Sequence, residues 1–124
     1  MRPENFFNVD DTTGGIPREL APGLTTTVFP GDQAMISIVR FEPGKRGALH
    51  HHPEEQWGHC IEGSGTRFQG DLEVPVQAGD FWRTPGDVPH TMEAGPNGLV
   101  VVDVFAPPRK AYTQPGSGFG TDDG

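Results

Sequence analysis

Apolar and polar positions alternate along this chain in short runs, and each run ends near a glycine or a proline. LTTTVF (24–29) is rich in β-branched residues and bounded by Pro-Gly steps, which predicts a short edge strand. In QAMISIVRF (33–41) the alternation puts Met35, Ser37, Val39 and Phe41 on one face and Ala34, Ile36, Ile38 and Arg40 on the other. Residues 48–52 and 56–62 read as two further extended pieces, followed by a turn signal at Gly63-Ser64-Gly65 and the short run TRF. Leu72, Val74 and Val76 mark a strand that Pro75 confines to a sheet edge. FWRT (81–84) comes next. LVVVDVFA (99–106), apolar apart from Asp103, has the pattern of a central strand buried on both faces. No stretch carries the period of a three-turn amphipathic helix. About eight short strands with Gly/Pro punctuation predict an all-β sandwich or small barrel.

Composition sets limits on this picture. With 18 glycines and 13 prolines in 124 residues, the chain stands near the level of disordered sequences, so loose ends are expected around one ordered unit. That unit is a single domain over 1–112 with a loosely held arm at 1–15 and a core at about 24–106; 113–124 is expected to be a flexible tail. The net charge of −8 makes nucleic acid and anionic membranes poor partners. The single Cys60 excludes an intrachain disulfide. The amino terminus has no apolar signal-like core, and the longest apolar run (99–102) is far short of a membrane span. A cytoplasmic location is the resulting expectation. Apolar Ile36 and Ile38, together with the 25–29 strand, predict an exposed outer sheet face and hence a homodimer.

The chemistry concentrates in GKRGALHHHPEEQWGHCIEG (44–63). On a strand, residues two apart share a face, so His50 and His52 converge and His51 points away. If the next strand returns antiparallel beside them, Gln56, Gly58 and Cys60 share one face and Trp57, His59 and Ile61 the other. His50, His52 and Gln56 then have one focus, with Gly58 leaving room beside it. Imidazoles and a neutral amide oxygen suit a divalent transition metal among Ni, Zn, Fe, Mn and Co. His90 is a further candidate ligand. His51 and His59 are expected at the surface, and Cys60 as a small buried apolar residue.

These residues resemble the two motifs of the cupin superfamily. Gly44, His50, His52, Gln56 and Gly63 follow the spacing of the first motif, with Gln in place of Glu. Gly79, Pro85 and His90 follow the second, with Gly86 one place early and Ala94 where Asn is usual. The resemblance implies a cupin double-stranded β-helix, a jelly-roll-like barrel or sandwich, holding one divalent metal through His50, His52, Gln56 and His90. HxHPxEQ followed by D-x-F-x-P-P-R is similar to the small pectin-degradation cupins that open unsaturated uronates. Carried over, Asp103, Phe105 and Arg109 would form the catalytic set, with Arg109 holding the carboxylate of an anionic sugar. Small cupin polyketide cyclases, cupin dioxygenases and non-catalytic ligand-binding cupins are the alternatives. With no anionic ligand, the metal keeps its full charge, which favours Lewis-acid ring opening, isomerisation or lyase chemistry over a ferric state. Asp103 interrupts an apolar strand, a costly place for a carboxylate that is neither paired nor functional. Its bland alternative is an ion pair with Arg40, Arg83 or Arg109.

Overall fold

The computed structural model describes residues 2–120. The strands are β1 (Ile16–Ala21), β2 (Leu24–Pro30), β3 (Met35–Phe41), β4 (Glu55–Gln69), β5 (Leu72–Gln77), β6 (Phe81–Thr84), β7 (His90–Ala106) and β8 (Gly116–Ser117). A single 3-10 turn at Lys110–Thr113 separates β7 from β8. The all-β expectation holds. The sheet runs β5-β4-β7-β3-β2-β1-β8, with β6 added on β4, and its two ends do not join. Among the described residues, no helix is long and apolar enough to cross a membrane.

Several elements differ from the sequence pattern, each for a local reason. β2 is an interior strand, because IPRELA forms β1 on its outer side; a proline and two charges hid that strand. Gly63-Ser64-Gly65 does not turn the chain. β4 runs through it as one 15-residue strand, with register shifts between Cys60 and Glu62 and between Gly63 and Gly65. Gly63 has φ of 82°, and a Cβ there would strike the Gly98 carbonyl, so the glycine serves close strand approach within a bent strand. β7 likewise begins at His90, not at Leu99, and runs for 17 residues. It lies between β4 and β3, as its apolar pattern predicts, and β5 with its proline is a sheet edge.

These bends change which side chains face inward. On β4, Gln56, Gly58 and Cys60 are buried while Trp57 and His59 are exposed, as the alternation requires. Past the shift at Cys60/Glu62 the parity inverts: Glu62 is exposed and Arg67 is buried. β7 inverts as well, with His90, Met92 and Ala94 inward before Gly95–Gly98 and Leu99, Val101, Asp103 and Phe105 inward after it. Two apolar clusters result. One holds Leu20, Leu24, Val28, Met35, Val39, Phe105 and Tyr112; the other holds Cys60, Val76, Met92, Ala94, Leu99 and Val101. The polar site lies between them.

Both ends are held more closely than their composition suggests. On the outer face of the sheet, Phe7 packs on Phe29 with ring centroids 4.8 Å apart, and Arg40 Nη2 donates to the Val9 carbonyl at 2.6 Å. This arm borders the apolar strip of Ile36, Ile38, Val102 and Val104. Ile38 is buried, but Ile36, Trp57 and Phe81 remain exposed. At the other end, β8 pairs in parallel with β1, and Arg18 donates to the carbonyls of Ala111, Ser117 and Gly118. The segment through Gly120 is therefore docked, where a free tail was expected. Residues 121–124 lie outside the described residues.

Candidate metal centre

The three-histidine stretch does not pair with β4, the neighbour that simple alternation suggests. It runs antiparallel along the start of β7: Gly47 N donates to Met92 O at 3.0 Å, and His50 and His90 exchange backbone hydrogen bonds at 3.2 and 2.9 Å. His50 and His90 thus become cross-strand neighbours. The convergence survives by this other route. Ring centroids stand 4.4 Å apart for His50–His90, 5.0 Å for His52–His90 and 5.8 Å for His50–His52. One ligating atom from each lies within 4.8 Å of the others.

The ring orientations are fixed from behind. Nδ1 of His50 donates to Ala48 O at 2.8 Å, that of His52 to Glu54 O at 3.0 Å, and that of His90 to Val88 O at 2.8 Å. With their protons on Nδ1, the imidazoles present Nε2 lone pairs to the common focus. His90 Nε2 is buried without a partner. His52 Nε2 stands 3.0 Å from Gln56 Oε1, which places two lone-pair donors against each other. A cation that takes both lone pairs relieves this repulsion. Burial also keeps the rings neutral: it lowers His50 to about 4 and His90 to about 2, the latter helped by the Arg67 charge, and it lowers His52 too. Three neutral imidazoles and an amide oxygen fit a divalent transition metal.

Gly58 has a different use from the one its position suggested. A Cβ there would collide with the Trp82 indole, so the glycine makes space for Trp82 and not for a metal-bound group. Cys60 is fully buried in the second apolar cluster and stands outside the ligand group. His51 and His59 are exposed.

A small cavity of about 40 Å³ opens beside the ligands, lined among others by His50, Gln56, Arg67, His90, Asp103 and Phe105. That is room for roughly three waters at the usual minimum of ~10–15 Å³ each. Asp103 is opposite Gly58 on the neighbouring strand, and its Oδ1 has no hydrogen-bond partner. Burial pushes its carboxyl up to about 6, against the lowering influence of the Arg67 guanidinium and the Gln56 amide. None of Arg40, Arg83 and Arg109 forms an ion pair with it. Phe105 is both wall and core, edge-on to His52 at 5.4 Å and to Tyr112 at 5.7 Å.

Arg109 is brought close but aimed elsewhere. It is 1% exposed, and Nη2 donates to the carbonyls of Phe119 and Gly120, while its guanidinium carbon lies 4.3 Å from the Tyr112 ring centroid. It does not line the cavity. Its Nε is 4.0 Å from Glu54 Oε1, and the same oxygen is 3.4 Å from His52 Nδ1. Arg109 and Glu54 therefore form a charged pair behind the His52 ring. Phe119, from the docked tail, stacks against His50 at 4.6 Å and closes the cavity on that side. Glu54, Arg67 and Phe119 escaped the sequence reading. Neither strand parity nor periodicity marks them. Replacing Glu54 with Gln is expected to weaken metal binding by about tenfold or more, the cost typical of removing a charge behind a ligating histidine. Competition with a chromophoric chelator measures this, and an unchanged affinity would mean the carboxylate does not support His52.

Comparison with known proteins agrees with this construction. The Cupin domain family matches residues 37–105, and the chain belongs to that family. It is 31% identical over 114 residues to oxalate decarboxylase OxdC of Bacillus subtilis, covering 80% of this chain and 28% of that protein. The chain thus spans little more than a quarter of that relative. Among solved structures, an RmlC-like cupin from Shewanella frigidimarina superposes with a TM-score of 0.75 at 23% identity, over 87% of this chain and 95% of the other. KdgF from Halomonas sp. gives 0.69 at 24% identity, over 73% and 86%. At these identities the structural likeness concerns the fold.

Proposed function

We propose that the protein is a metal-dependent, non-redox cupin enzyme in which Asp103 transfers a proton within the cavity of the metal centre. The observation that carries this reading is the placement of a buried carboxyl, its Oδ1 unpartnered, in the cavity that His50, Gln56 and His90 line beside the three-histidine cluster. A divalent ion held by His50, His52, Gln56 and His90 supplies Lewis acidity to a substrate oxygen. Asp103, with its carboxyl pushed up to about 6 by burial, is poised to take and return a proton near neutral pH. Phe105 keeps water from one side.

The reaction we assign is ring opening of a 4,5-unsaturated uronate to its 5-keto-4-deoxy form. Asp103 takes the proton of the anomeric hydroxyl as the C1–O5 bond breaks, leaving an aldehyde at C1 and an enolate at O5. It returns a proton to C4 as the enolate becomes the ketone, so the step is an isomerisation. The resemblance to KdgF in fold, and the spacing of Gln56, Asp103 and Phe105, support this choice. A cavity of about 40 Å³ does not admit a sugar ring as it stands, so this reading requires the segment carrying Phe119 to lift from His50. The same small volume favours a second reading, proton-assisted decarboxylation of a short dicarboxylate, which the match to oxalate decarboxylase also supports.

The test is a panel of protein reconstituted separately with Ni, Zn, Mn, Co and Fe. Loss of the ene absorbance of unsaturated uronates is followed in parallel with carbon dioxide release from oxalate. Uronate turnover at least about tenfold above the metal-free protein is the expected result. Release of carbon dioxide alone would select the second reading, and silence with every metal and both substrates would overturn the enzymatic reading.

A further inference from the structure

Arg67 is a buried cation with no carboxylate against it. Its side chain is 6% exposed, and among the described residues it enters no ion pair within 4.0 Å. Nη2 donates to Thr84 Oγ1 at 2.8 Å and Nε to Gln69 Oε1 at 3.3 Å. The Thr84 hydroxyl donates to the same Gln69 oxygen at 2.6 Å, and Gln69 Nε2 is tied to the Arg83 carbonyl at 2.8 Å. The guanidinium carbon stands 5.5 Å from the Trp82 ring centroid. These partners are neutral. They fix the direction of the guanidinium without neutralising it; the one opposing charge that acts on it is Asp103, which lines the same cavity together with His90 and Gln56.

The charge balance of the loaded cavity then calls for an anion. The imidazoles and the amide leave a divalent ion both its charges, Arg67 adds a third, and an ionised Asp103 removes one; Arg109 is offset by Glu54. Two positive charges remain in a small, water-poor space, where an uncompensated charge is costly. A planar guanidinium with a free edge pairs with a carboxylate through parallel hydrogen bonds. The cavity volume restricts a ligand that fits without rearrangement to a few heavy atoms.

We propose that Arg67 anchors a carboxylate subsite beside the metal centre. It selects substrates in which a carboxylate lies next to a second oxygen function, either a hydroxyl or another carboxylate, that reaches the ion. This assignment rests on the metal-centre reading above and is independent of which reaction follows. It moves carboxylate recognition from Arg109, which faces backbone carbonyls, to a residue near the end of β4.

Cobalt-loaded protein titrated with glycolate, with malonate and with neutral imidazole provides the test, read from the visible spectrum of the ion. Arg67→Met is expected to weaken glycolate and malonate binding by on the order of 10- to 100-fold, the value of a charge-assisted hydrogen bond, while imidazole binding and cobalt content stay within about twofold. Arg67→Lys, which keeps the charge and loses the fork, is expected to lose about three- to tenfold for the carboxylates alone. Carboxylate affinity unchanged in Arg67→Met would overturn the subsite, as would imidazole affinity falling in step with it. Should Arg67→Met not fold, Arg67→Lys is judged by the same comparison. Protein that takes up no cobalt would sink the metal-centre reading before any titration. Arg67-dependent carboxylate binding without uronate turnover would keep the subsite and remove only the assigned reaction.

Discussion

Replacing His90 with Ala is expected to reduce bound divalent metal from one ion per chain to less than about a tenth, with at least about a thousandfold loss of affinity, because it removes one of the four ligands proposed above. His51→Ala is the matched control. Its ring lies next in sequence to two ligands but is 64% exposed on the other face, so its metal content should be unchanged. Elemental analysis after dialysis against a weak chelator reads both. The metal-free proteins should differ as well. Burial holds His50 and His90 far below the 6.5 of an unfolded histidine, to about 4 and about 2. Protons therefore bind the unfolded chain first, and stability present above pH 6.5 is lost as pH falls towards 4 and below. His90→Ala carries one fewer such ring, so its melting temperature should fall less steeply between pH 6.5 and 4 than that of the metal-free wild type. Equal metal content in His90→Ala and wild type would dissolve the metal centre as described.

The part of this site that was legible in the sequence is the part that depends on local alternation and motif spacing. Inward-facing Gln56 and Cys60, outward Trp57 and His59, and the shared face of Asp103 and Phe105 all follow from a two-residue period on unbroken stretches of strand. Arg67 could not be found that way. Its odd number places it with Trp57 and His59 until the register shift at Cys60/Glu62 inverts the alternation, and a bulge of this kind leaves only a weak mark in Gly63-Ser64-Gly65. Arg109 shows the complementary limit. The segment that brings it to the site is readable, but the direction of its guanidinium is set by the carbonyls of Phe119 and Gly120. Those carbonyls belong to a stretch whose glycine-rich composition suggested a free tail. Its docking depends on Arg18 of β1, itself a strand that a proline and charges concealed. Nonlocal contacts of this sort decide which of two nearby arginines faces the cavity.

Asp103→Asn is the second large effect, and it separates catalysis from structure. Turnover of the substrate that the loaded protein accepts should fall by about 10²- to 10⁴-fold, the usual range for removing a general acid–base group, with metal content unchanged. The stability effect has the opposite sign. Burial, outweighing the pull of Arg67 and Gln56, raises the carboxyl from 3.8 to about 6. The folded state therefore binds the proton more tightly than the unfolded chain. The stabilisation this provides is full below about pH 3.8 and is lost as pH rises through 6, amounting to on the order of 3 kcal/mol across that window. Asparagine does not titrate. Metal-free Asp103→Asn should thus melt at a higher temperature than metal-free wild type at pH 8, and the gap should close towards pH 4. A general acid–base group held in a buried cavity wall predicts both results together, slower turnover in a more stable protein. Turnover within threefold of wild type would remove the proton-transfer role even if the stability gap appeared, and parallel melting curves across the pH range would show that Asp103 does not titrate in the buried state described.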